Sequence, residues 1–225
     1  MRFIIIGGGG LGIELYTYIS SDIQSGRLPN HCTIGVLNDT VDCELMNRIP
    51  EANYLGCEQE FVPSEGDRAL IAIGDAAVRR KVYRLTQERA IQLGTYIHPS
   101  AWVAHNATIG KGVIVFPNCV VSAFAEVSDN VAVNVFCGLG HGAKVGEHSV
   151  MCPYSVINGD ASLGESGFLG TRATLFPKVV LGKGCMVDAH TAVKASEGNY
   201  KIISFKGQYL VLDNRLAMRD LAETL

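Results

Sequence analysis

An aliphatic residue occupies every sixth position of this chain from Ile97 to Val193, without one slip. The residue four positions after each anchor up to Val187 is small or short, as at Ala101 and Ala125. Such a hexapeptide period predicts a parallel β-helix, in which the anchors point inward and each hexapeptide forms one flat side and a corner. An ordinary all-β domain would not hold its apolar residues in one phase for so long. The anchors are Ile97, Val103, Ile109, Val115, Val121, Val127, Val133, Leu139, Val145, Met151, Ile157, Leu163, Leu169, Leu175, Leu181, Val187 and Val193.

The first part of the chain instead alternates strand and helix patterns. The apolar runs RFIIIG, CTIGVLND and ALIAIGD are typical of strands that are buried on both faces of a parallel sheet. The segments IELYTYISSDIQ and AAVRRKVYRLTQERAIQLG have the apolar spacing of helices. This alternation predicts a small α/β domain with an open, Rossmann-like parallel sheet.

The turn after the first strand is rich in glycine. Gly7, Gly9 and Gly12 fit the pattern G-x-G-x-x-G between a strand and a helix, which lets a phosphate approach the backbone at the helix N-terminus. A tight turn with no ligand is the alternative. The other two strand ends should lie at the same edge of the sheet, where open parallel sheets bind ligands. They carry Asn38, Asp39, Gly74 and Asp75.

Composition excludes several other classes of protein. The apolar fraction is 48%, the charged fraction is 18% and the net charge is −3, with no basic run of the kind that binds nucleic acid or a membrane surface. The opening MRFIIIGGGG is too short an apolar run for a signal peptide or a membrane span. Seven cysteines without a C-x-x-C pair argue against a zinc or redox site. We therefore expect a folded cytoplasmic protein without a metal.

The hexapeptide pattern resembles the left-handed β-helix of the hexapeptide-repeat acyltransferases, in which three hexapeptides form one triangular coil of 18 residues. The resemblance implies just over five coils. We expect a nucleotide-binding domain over residues 1–95 and a β-helix over 96–199. Residues 200–225 should form a C-terminal cap that ends in a short helix, since an uncapped stack exposes unpaired backbone.

His141 lies between two glycines and at neither of the inward positions of its hexapeptide. With an 18-residue coil, its stacked neighbours are Ala123 and Gly159, so the imidazole should stand out from a corner over bare backbone. His105 shares the column two coils away, roughly 10 Å from His141, and is either inert or a supporting contact. The other histidines are expected to be solvated surface residues; they are His31, His98, His148 and His190.

Three segments together resemble the bacterial nucleotide-sugar N-acetyltransferases and sialic acid O-acetyltransferases: IIIGGGGLGIE, AIGDAAVRRKV and YIHPSAWV. The resemblance covers most of the chain. It implies that His141 is the general base, that acetyl-CoA is the acyl donor and that Asn134 has a secondary role. It also implies a homotrimer with active sites between neighbouring β-helices, and a nucleotide-linked sugar bound to the N-terminal domain.

The predicted site has three parts. Catalysis is assigned to His141 and Asn134. Substrate binding is assigned to the glycine-rich turn and the strand ends, namely Gly8, Gly9, Gly10, Leu11, Asn38, Asp39, Gly74 and Asp75. The acetyl-CoA groove is assigned to Gly140, Val150, Gly159, Gly170 and Thr171.

The sequence departs from the family at three places. A glutamate commonly follows the family's histidine and raises its basicity, whereas Gly142 follows His141 here. A carbonyl or a residue of another subunit could orient the imidazole instead. Leu11 replaces the histidine of the family's glycine-rich turn, and the usual C-terminal Pro-Ala-Lys ending is missing.

The leading hypothesis is an acetyl-CoA-dependent transferase that acetylates an amino group of a nucleotide-activated sugar for surface glycan synthesis. Such a reaction needs one base, and histidine titrates near neutral pH. A sugar O-acetyltransferase is the neighbouring alternative. An inactive trimeric scaffold of the same fold and an NAD-dependent oxidoreductase are alternatives of other classes.

Overall fold

A computed structural model describes residues 1–206 and 208–213 of the chain. The chain forms two compact units, Met1–Tyr96 and a second unit that starts at Ile97. Among the residues described, no helix is both long enough and apolar enough to cross a bilayer.

The first unit is a four-stranded parallel sheet with three helices. The sheet order is β3-β2-β1-β4; helix α1 connects β1 to β2, α2 connects β2 to β3, and an irregular segment connects β3 to β4. Its elements are β1 (Arg2–Ile6), α1 (Gly10–Gln24), β2 (Thr33–Leu37), α2 (Glu44–Arg48), β3 (Asn53–Tyr54), β4 (Asp67–Ile71) and α3 (Ala76–Glu88). The predicted strands and helices are present. Helix α2 and strand β3 were not predicted, because elements this short carry no periodicity.

The second unit is a β-helix whose strands follow the hexapeptide period. Each strand from β5 to β21 has two residues, and the second of them is an anchor. These strands are β5 (Tyr96–Ile97), β6 (Trp102–Val103), β7 (Thr108–Ile109), β8 (Ile114–Val115), β9 (Val120–Val121), β10 (Glu126–Val127), β11 (Ala132–Val133), β12 (Gly138–Leu139), β13 (Lys144–Val145), β14 (Val150–Met151), β15 (Val156–Ile157), β16 (Ser162–Leu163), β17 (Phe168–Leu169), β18 (Thr174–Leu175), β19 (Val180–Leu181), β20 (Met186–Val187) and β21 (Ala192–Val193).

Each strand pairs in parallel with the strand three places further along the chain, so the stacked coils form three flat faces. Face A contains β6, β9, β12, β15, β18 and β21. Face B contains β7, β10, β13, β16 and β19, and face C contains β5, β8, β11, β14, β17 and β20. We name the three corners after one residue of each. The His141 corner follows face A, the His148 corner follows face B and the Tyr154 corner follows face C.

The interior of the β-helix is one continuous apolar core. It is built from the anchors and the short residues between them, for example Val121, Cys137 and Leu139. Burial raises the pKa of Cys137 and Cys185, which therefore pack as thiols. All seven cysteines are unpaired. Among the described residues, no group of three or more His, Cys, Asp or Glu side chains could hold a metal ion.

The period ends in a hairpin. Strand β22 (Lys201–Lys206) continues face C in parallel with β20, and β23 (Gln208–Asp213) then pairs with it antiparallel. Ile203 carries the core into this hairpin and is buried. The predicted C-terminal helix falls on residues after Asp213, outside the described part of the chain.

Candidate active site

His141 is the first residue of its corner and stands out from the coil. Its side chain is 72% exposed. The backbone N–H of Gly142 donates to the carbonyl of Ala123 at 3.0 Å, and the N–H of Asp160 donates to the carbonyl of His141 at 2.9 Å. These bonds place the coil of Ala123 on one side of His141 and the coil of Gly159 on the other, as the 18-residue repeat predicts.

Two glycines form a bare ledge beside the imidazole. A Cβ atom on Gly159 would lie 2.5 Å from Cε1 of His141 and closer still to Nε2, so the ring rests directly against this glycine. A Cβ atom on Gly140 would lie 2.7 Å from the backbone nitrogen of Gly159. Both residues were predicted for the acetyl-CoA groove, and both lie at the His141 corner.

A carboxylate also lies beside His141. The Oδ2 atom of Asp160 is 3.9 Å from Nδ1 of the imidazole, and both side chains are more than half exposed. Asp160 was not among the predicted site residues. Its position could have been predicted from the 18-residue repeat. Asp160 follows Gly142 by 18 residues and so stacks on the position where the family carries its glutamate.

The other residues predicted around His141 lie elsewhere in the same chain. Asn134 leads into the Tyr154 corner, where its side-chain oxygen accepts the N–H of Val135 at 2.8 Å. Gly170 and Thr171 lead into the same corner two coils further along the chain. Val150 is buried in β14 on face C. Of the residues predicted around His141, Gly140 and Gly159 are the ones that lie beside it within one chain.

The glycine-rich turn of the first unit divides into packing and open positions. Gly7 has a φ of +116°, and a Cβ atom on it would lie 2.8 Å from the carbonyl oxygen of Ala72. A Cβ atom on Gly12 would collide with the carbonyl oxygen of Gly7, which accounts for the last glycine of the motif. Gly9 and Gly10 have open space around them. Gly8 is enclosed, since a Cβ atom there would collide with the Cys43 side chain.

Helix α1 begins at this turn with Gly9 as its N-cap and no side-chain cap. The first N–H groups of a helix lack partners within the helix and favour an anion. Leu11 lies half-buried in this first turn. The open glycines and the uncapped helix start together fit a phosphate group.

The strand-end residues have different roles. The side-chain oxygen of Asn38 accepts the N–H of Gly8 at 2.9 Å, so Asn38 joins β2 to the glycine-rich turn. Asp39 is exposed next to it. Asp75 caps α3, with one carboxylate oxygen accepting the N–H groups of Ala77 and Val78 at 2.9 Å. Gly74 faces open space. The parallel sheet brings these residues to the predicted edge.

A buried cation lies behind the end of β4. The side chain of Arg79 is fully buried in α3 and donates to the carbonyls of Ile71 and Ile73. Burial lowers the pKa of Arg79 to about 9. Its hydrogen bonds hold the guanidinium at the carboxyl end of the sheet, next to the edge where the predicted ligand residues lie.

The structure corrects the prediction for His148. It was expected on the surface, but only 5% of the residue is exposed. Its Nδ1 atom lies 3.1 Å from the side-chain amide nitrogen of the buried Asn130. The backbone N–H of His148 donates to the carbonyl of Asp129 at 3.0 Å. His148 is thus a packed residue of its corner, unlike His31, His105 and His190, which are exposed.

Most of the chain is similar to solved acetyltransferase structures. The acetyltransferase domain of PglB from Neisseria gonorrhoeae FA1090 superposes with a TM-score of 0.81 at 21% identity, over 94% of this chain and 99% of that one. A histidine-to-asparagine mutant of perosamine N-acetyltransferase from Caulobacter crescentus, in complex with CoA and GDP-perosamine, gives a TM-score of 0.77 at 23% identity, over 94% and 97%. The chain has the fold of the bacterial nucleotide-sugar N-acetyltransferases. The predicted α/β domain followed by a left-handed β-helix is thereby confirmed.

The sequence relatives match smaller parts. The carboxysome assembly protein CcmM of Nostoc sp. is 29% identical over 132 residues, which is 51% of this chain and 24% of CcmM. GDP-perosamine N-acetyltransferase of Escherichia coli O157:H7 is 21% identical over 105 residues, 47% of this chain and 48% of that protein. The chain thus spans at most about half the length of these curated relatives. No protein-family model matches it.

Proposed function

We propose that this protein transfers the acetyl group of acetyl-CoA to an amino group of a nucleotide-activated sugar, in surface glycan biosynthesis. The observation that carries the proposal is the His141 imidazole, which is exposed over the bare ledge of Gly140 and Gly159. It is supported by the shared fold, since solved proteins with this fold bind CoA and GDP-perosamine.

In the proposed reaction, the sugar amine attacks the thioester carbonyl while His141 accepts a proton from the amine. The C–S bond then breaks, and the thiolate of CoA leaves and takes up the proton that His141 accepted. General-base assistance of this kind contributes about 10²–10⁴-fold in rate. The two ledge glycines would let the pantetheine arm run close to the backbone, because no side chain fills the space beside the ring.

The nucleotide part of the substrate is assigned to the first unit. Its phosphates would meet the uncapped start of α1 at Gly9 and Gly10. Asp39 follows the neighbouring strand β2 and offers an exposed carboxylate to a ribose or a base. Asn38 contributes by holding the glycine-rich turn, since its side chain already bonds Gly8 and Thr40. One carboxylate oxygen of Asp75 already accepts two backbone N–H groups of α3. Asp75 would therefore help to bind the nucleotide by holding the start of that helix in place.

We also propose that the chain acts as a homotrimer. Asn134, Gly170 and Thr171 lie at the Tyr154 corner, one face away from His141. A neighbouring copy packed along face A would supply that corner to the His141 corner. Six large apolar side chains are exposed on face A or its two corners, which supports this packing. They are Trp102, Val120, Phe124, Phe136, Tyr154 and Phe176.

The test is release of the CoA thiol from acetyl-CoA with a panel of UDP-, GDP- and dTDP-linked amino sugars, each beside its hydroxy analogue. We expect transfer to one amino sugar, a loss of about 10²–10⁴-fold in His141→Ala, and a light-scattering mass of three chains. The thermal unfolding of His141→Ala should match that of the unmodified protein.

Other outcomes would replace the proposal. Transfer to the hydroxy analogue alone would make the protein an O-acetyltransferase. Absence of acetyl-CoA binding would leave a scaffold, and NAD binding without acetyl-CoA binding would favour an oxidoreductase.

A further inference from the structure

The Asp160 carboxylate reaches His141 across one coil. Asp160 is the second residue of the His141 corner in the coil that follows, and its backbone N–H already donates to the His141 carbonyl at 2.9 Å. Its Oδ2 atom lies 3.9 Å from Nδ1 of the imidazole. This separation is longer than a hydrogen bond and places the carboxylate opposite the Nδ1 edge of the ring.

Gly142 provides the space that this carboxylate occupies. A Cβ atom on Gly142 would collide with Oδ1 of Asp160 and lie 3.5 Å from its Cγ. The left-handed backbone at Gly142, with a φ of +62°, is not by itself the reason for glycine. Phe124 and Lys178 occupy the same position of this corner in other coils at φ values of 60° and 64°, and both carry full side chains. What a side chain at position 142 would displace is the carboxylate.

Gly159 lies against the other side of the ring. The edge of the imidazole that carries Nε2 and Cε1 rests where the Cβ atom of any other residue would stand. The ring therefore lies between a carboxylate near Nδ1 and a bare backbone near Nε2.

We propose that Asp160 is a positioning residue for His141 and that Gly142 and Asp160 work as a pair. The proposal rests on His141 being the base of the proposed reaction. The carboxylate favours the tautomer with the proton on Nδ1, which leaves the Nε2 lone pair to accept the proton of the substrate amine. Because both side chains are exposed, solvent screens the charge interaction, and the main contribution is the tautomer and angle of the ring.

The kinetic test compares Asp160→Ala, Asp160→Asn and Gly142→Ala. In Asp160→Ala we expect kcat to fall about 10-fold with KM within about two-fold, in the range found when a group that orients a histidine is removed. Asp160→Asn keeps an oxygen that can accept the Nδ1 proton and should recover most of the activity. Gly142→Ala should lower kcat like Asp160→Ala, and the double variant should lose no more than either single one.

Glu165→Ala, which removes a carboxylate paired with Lys183 at another corner, is the matched control and should leave kcat unchanged.

A second readout does not depend on activity. The ¹⁵N spectrum of the His141 ring, assigned by its loss in His141→Ala, should show a protonated Nδ1 in the neutral ring and a shift toward the Nε2-protonated tautomer in Asp160→Ala. An unchanged tautomer, or a wild-type kcat in Asp160→Ala while His141→Ala is inactive, would overturn this inference alone. If the unmodified protein transfers no acetyl group, the proposed function fails, and the spectrum still decides whether Asp160 orients the ring.

Discussion

His141 and His148 lie at successive corners of one β-helix and have opposite environments. The side chain of His141 is 72% exposed and rests against a glycine, whereas that of His148 is 7% exposed and contacts the buried Asn130. His141 takes the first position of its corner and His148 takes the second. The comparison teaches that a histidine at a coil corner is available for chemistry only when its own position and its stacked neighbours leave it uncovered.

Covering the ring of His141 should give the largest effect, and Gly159→Ala is the substitution that does so. The new methyl group would occupy the place of Nε2 and Cε1, and the exposed ring can swing away at little cost in stability. Acetyl transfer should fall by about 10–100-fold, as expected for a misplaced catalytic group, with the midpoint of thermal unfolding unchanged. Gly198→Ala is the control, because a Cβ atom there would meet no other atom within 4 Å. Equal activity in the two variants would contradict the role of the ledge.

A smaller effect is expected at the buried histidine, and it should appear in stability instead of activity. His148→Ala leaves Asn130 without its side-chain contact at Nδ1, and a buried polar group that loses its partner costs about 1–3 kcal/mol. Denaturant unfolding should report this loss, while kcat of the folded variant stays at the wild-type value. His141→Ala should change the unfolding free energy by less than about 0.5 kcal/mol. A stable His148→Ala variant would remove the distinction between the two corners.

The smallest effect is expected for Glu147→Gln. The Glu147 carboxylate lies 3.7 Å from Nε2 of His148, but the glutamate side chain is 55% exposed. An exposed charge at this distance contributes little, so the unfolding free energy should change by less than about 0.5 kcal/mol at moderate salt. A loss as large as that of His148→Ala would mean that the carboxylate, and not Asn130, holds the buried ring.

The sequence predicted the β-helix in detail because one physical requirement repeats in every hexapeptide. Leu139 and Ile157 end their strands and are buried for the same reason, namely that the inside of each coil must be filled. The place of His141 followed from the same repeat. The first unit was predictable in outline, since its main strands are continuous apolar runs, whereas α2 and β3 left no pattern to detect.

Contacts between side chains of different coils were harder to predict. The repeat shows that Asp160 stacks on Gly142, but not that its carboxylate leans toward Nδ1 of His141. The burial of His148 was missed because hydropathy alone places histidine at the surface. At the His148 corner the second position is also buried where it carries Asn130, a property of the corner that no single hexapeptide displays.

The unbroken hexapeptide period has a consequence for how such a chain can change its length. One residue added inside a strand would shift the register of the rest of the chain, so that every later anchor would point out of the core. An insertion just before Met151, for example, would affect Met151 and all the anchors after it. Six residues added between His141 and Gly159 would keep the anchors inward but move Gly159 by one corner, so it would no longer lie beside His141. Eighteen residues added outside this segment would keep the core, the corner of every later residue and the contacts of His141. The core therefore requires a period of six residues, and the alignment of the corners requires a period of eighteen. We expect natural variation in the length of such chains to come in whole coils.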